Sequence, residues 1–405
     1  MHSVDGEIDI ERVRDETPGC RDLVHLNNAG CALPPAAVVD TTVDYLRHEA
    51  ARGGYEAQAA RSEQIEAAYT SLARLIGAGR SEIALADNAT RAWDMVFYGM
   101  RFAPGDRILT CRSEYGSNAI AYLQQARRFG VEVAVIDDDP SGQIDLALLE
   151  KELDDDRVRL VSITHIPTQG GLVNPAAAVG ALAEAAGVPF LLDACQSAGQ
   201  LDLDVTALRC DILTGTGRKY LRGPRGTGFL YVRESAMPLF EPAMLDNGSA
   251  VWTAPTEYAM NPDARRYETW EKNYAAIVGL GAAVDYALSL GMDAIEARVL
   301  ALGERLRQTL EGIDGVRVRD LGRTRCGIVS FTVDDVPPDE VVRALAGDGV
   351  NTSVSRRTSS QWDLPSRGLT SVVRASVHYY NTEAEIDHVG SLIGRLGRPT
   401  RRPSR

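Results

Sequence analysis

A short stretch ending in a lysine combines residues that suit a phosphate with one that suits a carbonyl group. It reads Thr214-Gly-Thr-Gly-Arg-Lys219 and follows the apolar run Cys210-Asp-Ile-Leu213. The glycines allow a sharp turn close to a ligand, the threonine hydroxyl and arginine guanidinium suit a phosphate, and the lysine amine suits a carbonyl carbon. The stretch indicates a bound phosphate beside a Schiff base, although such a turn alone is more typical of a solvated loop.

A second candidate residue ends an upstream apolar run. Gly187-Val-Pro-Phe-Leu-Leu-Asp193 predicts a buried strand, and Gln196 follows it. Ligands collect outside the carboxyl ends of strands in open α/β sheets, although an isolated aspartate there is about as often a helix N-cap. Lys219 lies 26 residues after Asp193. An aspartate that holds a protonated pyridine nitrogen and a lysine that forms an imine are the pair that pyridoxal phosphate requires.

These motifs resemble those of the class V aminotransferases, within the fold-type I pyridoxal phosphate superfamily. They are Asp193-Ala-Cys-Gln196, Thr216-Gly-Arg-Lys219 and Gly223-Pro-Arg-Gly-Thr-Gly-Phe-Leu-Tyr-Val232. The resemblance runs from about residue 26 to about residue 388 and is greatest to cysteine desulfurases, selenocysteine lyases, C–S lyases and isopenicillin N epimerase-like enzymes. It implies pyridoxal 5′-phosphate as cofactor, Lys219 and Asp193 as catalytic residues, and a homodimer with active sites at the interface.

Length, composition and charge narrow the class of protein. A chain of 405 residues that is 44% hydrophobic can bury a large core and is expected to form two domains. The net charge of −13 and the absence of a basic stripe argue against nucleic acid as a partner. No apolar run approaches a membrane span, and the acidic start does not resemble a signal peptide, so a cytoplasmic location is expected. The spacing of cysteines and histidines predicts no metal site.

The alternation of strands and helices over residues 82–232 predicts an α/β fold with a large, mostly parallel sheet. A smaller α+β domain is expected to follow. The predicted boundaries are an N-terminal segment at 1–24 packing with the small domain, the cofactor-binding domain at 25–265, the small domain at 266–395 and a disordered tail at 396–405.

A strand, a small polar turn and a helix start predict the phosphate site. The strand is Glu82-Ile-Ala-Leu-Ala86, and the helix begins after Asp87-Asn-Ala-Thr90. Free amides and the helix dipole both favour an anion there, so Ala89, Thr90 and Arg91 are predicted to bind phosphate. The polar residues of the turn could instead only cap the helix.

The resemblance assigns further cofactor contacts. Thr216 and Arg218 would join the phosphate site. Tyr115 stands where relatives commonly have a histidine, so we expect it to stack on the pyridine ring without shuttling protons near neutral pH. Thr168 stands where relatives place an asparagine near the phenolic oxygen. Because Gln196 is available for that oxygen, Thr168 could face the substrate instead.

Four residues are predicted to bind substrate. The resemblance places the first active-site loop at Asn28 and Ala29, near the substrate carboxylate. Arg374, in Val373-Arg-Ala-Ser376, matches the arginine that pairs with an α-carboxylate through its planar fork. Arg356 suits an anionic substrate group, although a solvated surface arginine is equally typical.

The reaction is predicted from a residue that this chain lacks. Desulfurases carry a reactive cysteine in the small-domain loop, whereas Gly349-Val-Asn-Thr-Ser-Val-Ser-Arg-Arg-Thr-Ser-Ser360 has none. A persulfide relay would lack its nucleophile. The sequence therefore favours a C–S β-lyase that acts on S-substituted cysteines, in secondary metabolism, and releases thiol, pyruvate and ammonia. An aminotransferase or epimerase fits the motifs almost equally, while a desulfurase and a non-catalytic cofactor binder are less favoured.

Overall fold

The computed structural model describes residues 8–396, so the predicted tail after residue 396 lies outside the described residues. The helices are α1 Ile10–Asp15, α2 Ala36–Arg52, α3 Gly54–Ala60, α4 Ser62–Leu75, α5 Ala89–Phe97, α6 Gly116–Phe129, α7 Leu146–Leu153, α8 Ala176–Ala186, α9 Val205–Leu208, α10 Tyr274–Leu290, α11 Met292–Glu311, α12 Pro338–Gly347 and α13 Glu383–Leu396. The strands are β1 Val24–His25, β2 Ile83–Ala86, β3 Arg107–Cys111, β4 Glu132–Ile136, β5 Val158–Thr164, β6 Phe190–Asp193, β7 Ile212–Thr216, β8 Gly228–Val232, β9 Ala250–Ala254, β10 Glu257–Met260, β11 Val316–Val318, β12 Ile328–Val333, β13 Val350–Asn351, β14 Ser353–Arg356 and β15 Ser371–Ser376.

The large sheet has seven strands in the order β2-β8-β7-β6-β5-β3-β4. Neighbouring strands pair in parallel from β7 to β4, and β8 runs antiparallel to both β2 and β7. The predicted mostly parallel sheet is confirmed.

Apolar residues on both faces explain why the central strands are buried. Successive strand residues point to opposite faces. Accordingly, Leu192 and Leu213 belong to one apolar cluster, while Leu191 and Ile212 belong to another on the other side of the sheet. A strand covered on both faces needs a continuous apolar run rather than an alternating one, which is the pattern of β6.

The carboxyl edge of this sheet gathers polar strand ends. Strands β5, β6 and β7 end there at Thr164, Asp193 and Thr216. Strand β8 runs the other way and starts at the same edge with Gly228. A Cβ on Gly228 would collide with the backbone of Asn88 and Ala89, so only glycine lets the start of α5 lie against β8.

The second sheet has four antiparallel strands in the order β11-β12-β15-β14. Helices α11, α12 and α13 contribute side chains to its separate apolar cluster. The described part of the N-terminal segment lies against this domain: β1 pairs in parallel with β13, and Arg14 forms an ion pair with Glu385 at 2.8 Å.

Helix α10 packs against α2 and α4, and Val278 and Leu280 lie in the same apolar cluster as Leu72 and Leu213. Helix α10 follows the predicted boundary at residue 266, yet it lies on the large domain. An almost wholly apolar helix needs cover on several sides, and α2 and α4 provide part of that cover. Within the described residues, no single helix is long and apolar enough to cross a membrane. Helices α10 and α11 meet those limits only as a pair, bent by 82°.

Candidate active site

The carboxylate of Asp193 ends β6 at the carboxyl edge, where only 5% of the residue is exposed. Its Oδ1 accepts a hydrogen bond from the backbone amide of Cys195 at 2.9 Å, and its Oδ2 accepts one from Nδ2 of Asn118 at 3.0 Å. Both oxygens are thus held by donors from two elements, which fixes the direction of the carboxylate.

Lys219 follows β7 and lines the same pocket, with its Nζ 6.0 Å from the centroid of the Tyr115 ring. Burial lowers the pKa of Lys219, because desolvation disfavours the ammonium form, and the nearby Cys195 and Asp193 oppose that shift. A lowered pKa increases the fraction of neutral amine, the form that acts as nucleophile or base.

The start of α5 forms one end of the pocket. Asn88 is the N-cap, and its Oδ1 accepts a hydrogen bond from the backbone amide of Arg91 at 2.9 Å. As the first two helical residues, Ala89 and Thr90 have amides that cannot bond within the helix, so they suit an anion. Arg91 is exposed and does not line the pocket. The structure thus gives no support to its predicted phosphate contact, because the cap already uses its amide.

The pocket has a volume of about 70 Å³. Its lining residues are Asn88, Ala89, Thr90, Tyr115, Thr164, Ile166, Thr168, Asp193, Cys195, Gln196, Thr216, Arg218 and Lys219. Apart from Arg91, every predicted cofactor contact is among them. Four of these residues were not predicted from the sequence, namely Asn88, Thr164, Ile166 and Cys195. Thr164 ends a central strand, so the strand-end rule that predicted Asp193 also applies to it.

The predicted cofactor can be tested against the groups that line the pocket. Gln196 donates from Nε2 to the carbonyl of Ala29 at 3.1 Å, whereas its Oε1 is buried and has no partner within residues 8–396. A ligand that brings a hydrogen-bond donor there would satisfy this acceptor. The anion-binding amides, Arg218, the Asp193 carboxylate and the Lys219 amine complete a set of groups that fits the phosphate, ring nitrogen and aldehyde of pyridoxal phosphate.

Arg374 projects from β15 and is 7% exposed. Its Nη1 bonds to both oxygens of Thr168, and its Nη2 donates to Oδ1 of Asn27 at 3.2 Å. Its Nε is buried and has no partner in the described part of the chain. Burial lowers the pKa of Arg374 to about 10, so the group remains a cation at neutral pH. Arg374 does not itself line the pocket, but it contacts Thr168, which does, and a buried cation with a free Nε suits a substrate carboxylate.

The first loop is held by the protein itself. Asn28 donates from Nδ2 to the carbonyls of His25 and Ser376, and the amide of Ala29 donates to Oγ of Ser376 at 2.9 Å. These groups tie the loop to β15 and are not free for a carboxylate. Asn27, which the sequence analysis did not select, is the residue of this loop that contacts Arg374.

Arg356 lies at the surface. Its side chain is 50% exposed and pairs with Asp339 of α12, with Nη1 at 3.0 Å from Oδ2. It does not line the pocket. The structure therefore does not bring Arg356 to the predicted substrate position, because a carboxylate of its own domain already binds the guanidinium.

Comparisons with known proteins agree with this geometry. The family model described as aminotransferase class-V matches residues 24–389. A probable cysteine desulfurase of Methanothermobacter thermautotrophicus is 31% identical over 392 residues, covering 95% of this chain and 98% of that protein. The apo structure of a cysteine desulfurase from Thermococcus onnurineus superposes with a TM-score of 0.90 at 27% identity, covering 98% and 99% of the two chains. A cystine C–S lyase in complex with its product cysteine persulfide has the same fold, with a TM-score of 0.84 at 24% identity over 93% and 99% of the chains.

Proposed function

This chain belongs to the class V aminotransferase family, and we propose that it is a C–S β-lyase that cleaves S-substituted cysteine-type amino acids. It is an enzyme whose homologues are named cysteine desulfurase or cystine C–S lyase, and its cofactor is pyridoxal 5′-phosphate. In the proposed reaction, the substrate and one water give a thiol, pyruvate and ammonia. Cleavage of the Cβ–S bond sends its electron pair to sulfur, which takes up a proton.

The observation that carries this proposal is the small-domain segment 349–360. It folds as β13, β14 and a short 3-10 turn at Arg357–Ser359, and serines, threonines and arginines occupy it without a cysteine. A desulfurase transfers sulfur to a thiolate as a persulfide. A chain without that thiolate can still expel sulfur as a free thiol, because that route needs only a proton for the leaving group.

Among the residues that the structure describes, Cys195 is the one thiol that lines the pocket, and it is a poor substitute for the missing cysteine. Burial and the neighbouring Asp193 raise the pKa of Cys195 well above its ordinary value, although Lys219 opposes them. The thiolate is the nucleophilic form, so a thiol that stays protonated near neutral pH is not activated for sulfur transfer.

Arg374, Lys219 and Asp193 would have separate roles in the proposed reaction. Bound pyridoxal phosphate supplies an electron sink that makes the Cα proton of the amino acid acidic. Arg374 would hold the α-carboxylate and so fix the substrate. The Nζ of Lys219 would take the Cα proton and return a proton to the sulfur, while Asp193 would keep the ring nitrogen protonated.

The test is an assay of the products formed from S-substituted cysteines by the purified holoenzyme. We expect pyruvate, ammonia and thiol in equal amounts. If alanine and an enzyme-bound persulfide form instead, the protein is a desulfurase and the proposal is wrong. If the cofactor is converted to its pyridoxamine form and no thiol is released, the protein is an aminotransferase. If the product is a D-amino acid, the protein is an epimerase.

We also propose that two copies associate. Trp252 and Tyr258 are 74% and 57% exposed on the β9–β10 hairpin, and Tyr55 and Trp270 line a neighbouring cleft of about 520 Å³. Large exposed aromatic side chains are typical of interfaces. Sedimentation of the holoenzyme should give a dimer that the double substitution of Trp252 and Trp270 by glutamate dissociates. Phe129→Glu, at an exposed position on α6, should leave the dimer intact.

A further inference from the structure

A second buried carboxyl group lies behind Asp193. Glu114 precedes α6 and is 2% exposed. Five hydrogen-bond donors surround its two oxygens. They are the amide of Tyr115 at 2.7 Å, Nδ2 of Asn118 at 3.0 Å, Oγ1 of Thr110 at 2.8 Å, the hydroxyl of Tyr122 at 3.2 Å and the hydroxyl of Thr164. A carboxyl group so completely surrounded is held in one orientation, and its donors are polarised toward a negative charge.

One amide group joins this carboxyl to the catalytic aspartate. Nδ2 of Asn118 lies 3.0 Å from Oε1 of Glu114 and 3.0 Å from Oδ2 of Asp193. The two hydrogens of an amide can serve one acceptor each. Because Glu114 fixes the direction of Asn118, it also sets the hydrogen bond that Asp193 receives.

The surroundings of Glu114 carry negative or neutral groups. Asp193 faces it from β6, Cys111 from β3 and Tyr122 from α6, and no cation forms an ion pair with Glu114 among residues 8–396. Burial, with a smaller contribution from the charge of Asp193, raises the pKa of Glu114 to about 7, although the hydroxyl of Thr164 opposes the shift. A positive charge on a cofactor ring bound at Asp193 would favour the ionised form of Glu114.

We propose that Glu114 is a positioning residue that orients Asp193 through Asn118 and increases the proton affinity of the pyridine nitrogen that Asp193 would hold. An ionised Glu114 adds negative potential in a buried region, where charges act over several ångströms with little screening. This role of Glu114 does not depend on which reaction follows at Cα, so it stands or falls separately from the proposed lyase function.

Two substitutions test the charge and the bridge in turn. Glu114→Gln keeps the shape and one acceptor oxygen but removes the charge, and Asn118→Leu keeps the branched shape but removes both hydrogen bonds. Thr110→Val is the matched control, since it removes a donor to Glu114 that does not touch Asp193.

The measurement is the ¹⁵N chemical shift of ring-labelled cofactor bound to each variant, followed against pH. We expect the pKa of the ring nitrogen to fall by about one unit in Glu114→Gln and in Asn118→Leu, and to stay at the wild-type value in Thr110→Val. A wild-type ring titration in Glu114→Gln or in Asn118→Leu would overturn the inference. Thermal unfolding of each variant distinguishes a purely structural role of Glu114 from the proposed one. A variant that loses stability but keeps the wild-type titration of the ring nitrogen would also overturn the inference.

Discussion

The hydroxyl of Thr168 accepts a hydrogen bond from Nη1 of Arg374 at 2.8 Å, and the backbone carbonyl of the same residue accepts another at 2.9 Å. Thr168 follows a central strand of the large domain, while Arg374 belongs to a strand of the small domain. The residue at a position where relatives contact the cofactor oxygen is therefore engaged, in this chain, with the arginine predicted to bind the substrate.

Thr168→Val should weaken substrate binding. Valine keeps the shape but loses the hydroxyl acceptor, and one such hydrogen bond contributes about 1 kcal/mol. We expect KM for the amino acid to rise about fivefold with kcat nearly unchanged. Thr168→Ser, which retains the hydroxyl, should resemble the wild type. If valine instead weakened cofactor binding at an unchanged KM, Thr168 would be a cofactor ligand.

Lys219 should be the lysine that carries the cofactor. Borohydride reduction of the holoenzyme should leave the cofactor covalently bound to the peptide that contains Lys219. Lys151 and Lys272, the other two lysines of the chain, serve as internal controls in the same digest. Lys219→Ala should lower turnover by about 10³-fold or more, because the base is lost. Label on either control lysine, or turnover that survives the substitution, would contradict the assignment.

Arg374 and Arg356 should respond differently to substitution. Arg374→Lys keeps a charge but loses the planar fork, so KM should rise about 100-fold. Arg356→Ala should change KM less than about twofold, because surface ion pairs such as that with Asp339 contribute little. Steady-state kinetics with one S-substituted cysteine would measure both. A large rise in KM for Arg356→Ala would restore its predicted substrate role.

His165 should make stability depend on pH. Burial lowers the pKa of this strand-end histidine from 6.5 to about 4. Between these values the unfolded chain binds a proton that the folded chain does not, so the stabilising contribution is present above about pH 6.5 and is lost as the pH falls. His165→Asn should reduce the loss of unfolding free energy between about pH 7 and about pH 5, by up to about 1.4 kcal/mol per pH unit. Urea titrations of both proteins at pH 7 and pH 5 give the unfolding free energies. An equal loss of unfolding free energy in the wild type and in His165→Asn would refute the expectation.

The cofactor part of the site could be predicted from the sequence because it follows from local rules. Apolar runs marked the strands, and the strand-end rule placed Asp193 beside the turn that carries Lys219. Arg91 shows the limit of such rules. Whether its amide faces the pocket or the side chain of Asn88 depends on where the helix starts, and patterns define helix starts only to within a few residues.

The substrate part depends on pairings between distant segments. The contact between Asn27 and Arg374 requires the loop that carries Asn27 to lie along β15. The pairing of Arg356 with Asp339 requires β14 to lie beside α12. No period in the sequence encodes either arrangement. The position of α10 depends on such pairings too, since an almost wholly apolar helix does not indicate which domain will cover it.

The pairing of β1 with β13 and the bridge between Asn27 and Ser376 join residues more than 300 positions apart. During synthesis, all seven strands of the large sheet have been made once residue 232 has emerged, whereas Arg374, the arginine predicted to bind substrate, emerges about 140 residues later. Long-range closure is the slowest part of assembling a chain, because its entropy is lost before its contacts form. A nascent chain can therefore assemble the groups predicted to bind the cofactor well before it has those predicted to bind a substrate.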